Sequence, residues 1–256
     1  MMVAVGAETA PAIKDFTGAA ISFFNNHRVP AALLAASSIK DAFVLQGRGS
    51  KLPEDDARAW RLVRYAYLLL MITSFGMEMS VIYMSTHVVV QLEAGNFNSK
   101  GTSLIDMLIR EYEYEYCSVR SQFITGMLTF LMAQGLRVRY SLRRYADLAN
   151  CAMFCLFSAA TGMLSYNNAH TVTFGGYPGL MKRWAQLTAD FYGRRIDLRH
   201  PMALMTVAMT LAGGFCVCRG CVLWVSHGNF WAPFSNEVKG GAVGSSPSGP
   251  AVVDIP

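Results

Sequence analysis

Charge is what this chain has least of: 15% of its residues are charged, while 53% are hydrophobic. Soluble domains carry nearer a quarter charged residues, and the mean hydropathy of +0.29 argues against an ordinary soluble domain. A secretory signal is not expected, because the first fifteen residues lack a basic start followed by an apolar run. Glu8 and Asp15 interrupt an otherwise Ala/Ser-rich start, which weighs against a transit peptide. N-x-[ST] acceptors are absent, so glycosylation gives no clue to the compartment. There is no P-loop, no glycine-rich dinucleotide fingerprint, no H-E-x-x-H and no G-x-S-x-G. Without these motifs, and without a His/Asp/Glu cluster or a histidine pair suited to haem, no catalytic residue is assigned and no cofactor is expected. The net charge of +5 follows from membrane topology and calls for no nucleic-acid partner.

The six cysteines, Cys117, Cys151, Cys155, Cys216, Cys218 and Cys221, lie mostly within or at the ends of apolar blocks. That is not the layout of a secreted disulfide framework. Cys216-x-Cys218-x-x-Cys221 lacks a nearby histidine to complete a tetrahedral metal site, so no metal is assigned. These three thiols are instead candidates for packing or for palmitoylation near Arg219.

Apolar residues are gathered into four blocks of spanning length, about 66–90, 119–136, 148–169 and 202–225. A spanning helix needs about 20 mostly apolar residues. The expected fold is an all-α membrane protein, a four-transmembrane-helix bundle occupying 61–230. Residues 1–60 are expected to form a polar or amphipathic region, with a short surface helix ending near Asn25–Asn26. Residues 231–256, rich in Gly, Ser and Pro, are expected to be a disordered tail. Pro53-Glu54-Asp55-Asp56 signals a helix start before the first span, and Ser103 with Asp106 resembles a capping box. Between the third and fourth spans, Leu180, Trp184, Leu187 and Phe191 recur at helical spacing after the breakers Gly175, Gly176, Pro178 and Gly179. They predict an amphipathic helix at the membrane surface. Basic residues gather before the first span and between the second and third, placing both termini on the cytoplasmic, matrix or stromal side.

The first span holds the chain's most informative residues. Advancing about 100° per residue, Tyr67, Ser74, Glu78 and Ser85 fall on one line of the helix. Thr73, Ser80, His87 and Gln91 fall on nearly the opposite side, so the helix is expected to touch protein or water on two sides. An ionisable residue at membrane depth is costly and is a functional-site hypothesis by default. Glu78, with Ser74, Ser85, Tyr67 and His87, is therefore the candidate path for an ion or proton. The bland alternative is a carboxyl that is protonated or paired and merely fixes packing.

Glu111, Glu113 and Glu115 suggest an acidic vestibule, but the favoured reading is a solvated helix face paired with Arg110 and Arg120, because exposed charge runs are common. In outline, four spans with a basic approach to the first and an acid within it resemble store-operated calcium channels. The resemblance covers no extended motif beyond Val90-Gln91-Leu92-Glu93. Because Glu78 lies deeper than a filter at the span's outer end, it assigns no residue a role. Two functions follow from the residues: a channel or transporter component, or a non-catalytic subunit of a larger membrane complex. The expected partners are the lipid bilayer and either copies of the chain or other subunits of that complex.

Overall fold

The computed structural model describes residues 13–46, 58–95, 98–142, 145–195 and 201–226. Among them are six α-helices and one two-residue β-bridge. The helices are α1 (Thr17–Ala42), α2 (Arg58–Glu93), α3 (Leu104–Ser141), α4 (Ala146–His170), α5 (Tyr177–Arg195) and α6 (Pro201–Ser226). The expected helix start at Pro53–Asp56 and the expected tail at 231–256 lie outside the described residues.

The longest packed seam joins α2 to α1. Along α2 the buried positions among the described side chains are Trp60, Val63, Tyr67, Met71, Ser74, Glu78, Val81, Ser85, Val88, Val89 and Leu92. Val89 apart, successive ones are three or four residues apart, close to the 3.5-residue period that keeps one helix facing another over many turns. α1 answers with Ala20, Phe24, Ala31, Ala35, Ser38 and Ala42, mostly small residues that let two backbones approach closely. The two helices run antiparallel. At one end the Phe16 N–H donates to the Ser99 carbonyl (3.0 Å), and strand β1 (Lys14–Asp15) pairs with β2 (Lys100–Gly101). At the other, the Tyr67 hydroxyl donates to the Asp41 carbonyl (2.6 Å).

This corrects the expectation of a short surface helix ending near Asn25–Asn26. α1 continues through those residues and through Pro30 to Ala42. Proline inside a helix removes one backbone hydrogen bond, and packing along α2 outweighs that loss. The described chain therefore starts beside the end of α2 and not beside its beginning.

α3 begins with Ser103 as its cap, whose hydroxyl accepts from the Asp106 N–H (3.1 Å). The helix bends at Tyr112, whose backbone is not helical (φ −136°, ψ 36°), and runs on to Ser141. Two apolar clusters hold the bundle together. One gathers Phe24, Val81, Val88, Leu92, Leu108, Tyr116 and Leu180, and the other Ala42, Tyr67, Met71 and Ala133. Ser74 and Glu78 sit on α2 between them.

α5 forms where the sequence places it, but most of its apolar stripe packs against protein. Leu180 is fully buried, and Trp184 and Leu187 pack on the same cluster as Phe24. The helix lies along the first half of α3. Tyr177 Oη lies 2.9 Å from Thr125 Oγ1, Arg183 pairs with Glu113, and the Phe191 ring stacks on Tyr114 at 5.0 Å. α4 and α6 are different. Phe154, Leu148 and Tyr166 of α4 are exposed, as are Met209, Leu211 and Phe215 of α6.

Among the described residues, two helices are long and apolar enough to cross a membrane, Leu62–Glu93 and Ala146–His170. Only 28% and 17% of their most apolar windows are buried, whereas the core helix of a soluble protein would be mostly covered. Apolar surface on this scale points to association with a membrane.

Candidate functional site around Glu78

The site starts from the heptad-like stripe of α2, which aims every third or fourth side chain at α1 and α3. Glu78 occupies one of these positions and is 0% exposed. Neither of its carboxylate oxygens accepts a hydrogen bond among the described residues. It lies flat against the α3 backbone at Gly126, where an added Cβ would collide with Oε1. With alanine there, the carboxyl would have to shift from this position.

One turn away the polar groups are fully engaged. The Ser38 hydroxyl donates to Ser74 Oγ (3.2 Å), and Ser74 in turn donates to the Gly126 carbonyl (2.8 Å). The Thr129 hydroxyl lies within reach of the same carbonyl (2.9 Å) and of the Thr125 carbonyl (3.0 Å), and its one proton is shared between them. On the other side of Glu78, Ser85 Oγ and Gln122 Oε1 are buried without a hydrogen-bond partner. Further along α2, Tyr67 reaches Asp41, whose carboxylate pairs with Arg137 at 2.7 Å. Polar side chains from three helices thus line one seam.

The structure brings Tyr67, Ser74, Glu78 and Ser85 onto this seam and leaves His87 off it. His87 is exposed and its ring lies parallel to Tyr83 at 6.4 Å. Its Nε2 is 2.8 Å from Gln91 Nε2, with the opposite line of polar residues. Nothing matches this chain among protein-family models, curated proteins or solved structures. The side chains themselves are the only guide to function.

The acidic run is partly neutralised. Glu111 pairs with Arg110 (2.9 Å), and Glu113 takes both arms of the Arg183 guanidinium at 2.7 and 2.8 Å. Arg120 turns instead to Tyr116, Asn167 and Thr171. Glu111 and Glu115 do line an open groove of about 550 Å³, together with His87, Asp190, Phe191 and Arg194. Both signs of charge meet there, so the groove is no simple collector of cations.

No group of three or more metal-binding side chains occurs among the described residues. Cys218 is exposed, while the Cys216 and Cys221 side chains lie outside the described residues. Cys117 is buried, and burial with the nearby Glu113 charge pushes its thiol up to about 12. The thiolate is the reactive form. In a variant keeping Cys117 alone, a membrane-permeant maleimide should leave the folded protein unmodified at neutral pH and label it after denaturation. Labelling of the folded protein would contradict this packing.

Sequence reasoning did not find Ser38, Gly126 or Gln122 as members of the site. Gly126 carried the one available signal, a glycine inside an apolar helical block, where it weakens the helix unless close approach requires it.

Proposed function

We propose that this chain is a multi-pass membrane protein serving as a component of an ion- or proton-transport assembly, with Glu78 as its ion site. The observation behind this reading is a carboxyl that is fully buried, without a hydrogen-bond donor, on a seam of polar residues from three helices. An ionised group there is uncompensated and costly, so the site calls for a bound proton or cation. Exchange of that ion with the two sides of a membrane is transport.

In this reading the four apolar blocks are α2, the second half of α3, α4 and α6, with the exposed faces of α4 and α6 toward lipid. α1 runs beside α2 from Ser99 to Tyr67 and so shares its depth. In this reading the start of the described chain lies on the side of the 94–103 connection. That is opposite to the side of Arg137 and Arg139, which the positive-inside rule assigns to the cytoplasm, and the expectation that both termini share that side is given up. So small a bundle leaves little room for an internal channel, and a continuous path would form between copies of the chain.

The second reading, a structural subunit of a larger complex, is favoured by the tight fit of Glu78 on Gly126. The test is flux in liposomes containing wild-type protein or Glu78→Gln. The transport reading expects flux in the wild type and none in a variant that keeps its oligomeric state. Absence of proton and cation flux from both would defeat it in favour of the structural subunit.

A further inference from the structure

We propose that the ion taken up at Glu78 is the proton and not a metal cation; this rests on the transport reading above. The inference comes from what surrounds the carboxyl. Hard cations such as calcium ask for about six to eight oxygen ligands, and Glu78 supplies two. On the Ser74 side the Gly126 carbonyl accepts from Ser74, and the Ser74 hydroxyl accepts from Ser38. On the other side Ser85 Oγ and Gln122 Oε1 are buried without a partner, and with the two oxygens of Glu78 they make four, fewer than such a cation needs.

Space leads to the same conclusion. The α3 backbone is so close that a single methyl group at Gly126 would meet the carboxyl. A cation with its ligand shell would have to part α2 from α3. A proton needs no coordination shell and no added volume.

The groups that face Glu78 do not compete for that proton. The α3 residue it touches is Gly126, with Gln122 one turn away, and the buried α1 residues along this part of the seam are Ala31, Ala35 and Ser38, none of which ionises near neutral pH. On α2 itself the polar residues of the same line are Ser74, one turn away, and Ser85, two turns away. Among the described residues, the charged groups of the bundle make their contacts elsewhere. Arg120 acts on His27, and Asp41 is paired with Arg137 beyond Tyr67. Ser85 Oγ and Gln122 Oε1, buried and without partners, are the acceptors on one side of Glu78, and the Ser74–Ser38 pair lies on the other. In the step proposed, a proton from one side converts the Glu78 carboxylate to the acid. The O–H bond then breaks and the proton leaves toward the other side, moving one positive charge and changing no other bond.

The experiment uses the purified full chain in phosphatidylcholine–phosphatidylglycerol liposomes, as wild type, Glu78→Gln and Glu78→Asp. A trapped pH dye reads proton flux, and trapped ion-sensitive dyes read sodium, potassium and calcium. Infrared difference spectra across a pH series read the carbonyl stretch of an un-ionised carboxylic acid, which reports protonation whether or not anything is transported.

The wild type is expected to move protons but none of the three metal ions, and to show an acid band that fades as pH rises. In Glu78→Gln the band should vanish and proton flux should fall to that of protein-free vesicles. Glu78→Asp, which keeps a carboxyl, should retain both in part and shows that the glutamine result is not a folding defect. Metal-ion flux that depends on Glu78, with no acid band in the wild type, would overturn the proton assignment and leave the transport reading standing. A Glu78-dependent acid band without flux of any ion would support the proton as the ligand and overturn the transport reading.

Discussion

Gly179→Ala is expected to loosen the docking of α5 and to lower the thermal stability of the detergent-solubilised protein, by an amount corresponding to about 1–3 kcal/mol. The reason is local and steric. The chain leaves α4 through a 3₁₀ turn at Val172–Phe174 and reverses through Gly175 and Gly176, both with positive φ (69° and 97°). This reversal presses the Phe174 carbonyl onto the first turn of α5, and a Cβ at Gly179 would land on that oxygen. A flexible side chain would swing aside at little cost. A backbone carbonyl held between the 3₁₀ turn and the two positive-φ glycines that follow it cannot, so the whole turn has to shift.

Displacing the turn would pull Leu180 from its buried position and move Trp184 out of the apolar cluster. A red shift in tryptophan emission should therefore accompany the lower melting temperature. Gly193→Ala is the control within the same helix, because nothing lies within 4 Å of a Cβ there; its melting temperature should stay at or slightly above the wild-type value. The Arg183–Glu113 pair joins the same two helices, but its side chains are 43% and 24% exposed. Pairs of that kind contribute about 0.2–1 kcal/mol, so the glycine contact should outweigh the ion pair. A wild-type melting temperature in Gly179→Ala would show that the turn does not hold α5 in place.

The difference between α2 and α1 shows how much of this structure was legible in the sequence. On α2 the polar residues stand out against Leu, Met, Val and Ile, so Tyr67, Ser74, Glu78 and Ser85 could be placed on one line before any packing was known. On α1 the buried face is Ala20, Ala31, Ala35, Ser38 and Ala42 with one aromatic, Phe24, while Val29 and Leu33 are exposed. Hydropathy contrast therefore does not mark the face that packs. Close approach selects small side chains, which carry almost no hydrophobic signal, and the length of α1 and its partnership with α2 stayed hidden for that reason.

α5 is a milder case. Its periodicity was readable, but an apolar stripe fits a lipid surface and a protein groove equally well, and only the partner decides between them. The candidate site divides the same way. The acid was legible because a lone carboxylate in an apolar block is conspicuous. The glycine facing it was not, because its role exists only once α3 is laid against α2.

That pairing gives the second large effect, a change of sign in a double-mutant cycle at Gly126 and Glu78. Gly126→Ala alone is expected to destabilise the protein by about 1–3 kcal/mol, because the new methyl group and the buried carboxyl require the same space. The carboxyl end is flexible, but it is fully buried, and the methyl group would meet its Cδ and Cγ as well as Oε1, so the whole end of the side chain has to move. In a Glu78→Ala background the obstruction is gone, and the same substitution should become neutral or stabilising, since alanine is favoured over glycine in a helix by about 0.5–1 kcal/mol. Sites in contact show coupling energies of about 0.5–3 kcal/mol, and here the coupling should be strong enough to reverse the sign.

Thermal unfolding of the four proteins in one detergent measures the cycle, and Gly162→Ala, where a Cβ meets nothing within 4 Å, checks that it reports this contact and not glycine replacement in general. Additive effects at the two positions would mean that Glu78 does not rest on Gly126, and would remove the steric argument for a site that admits a proton and excludes a coordinated cation. A reversal of sign would establish the contact on which that argument depends, independently of any flux measurement.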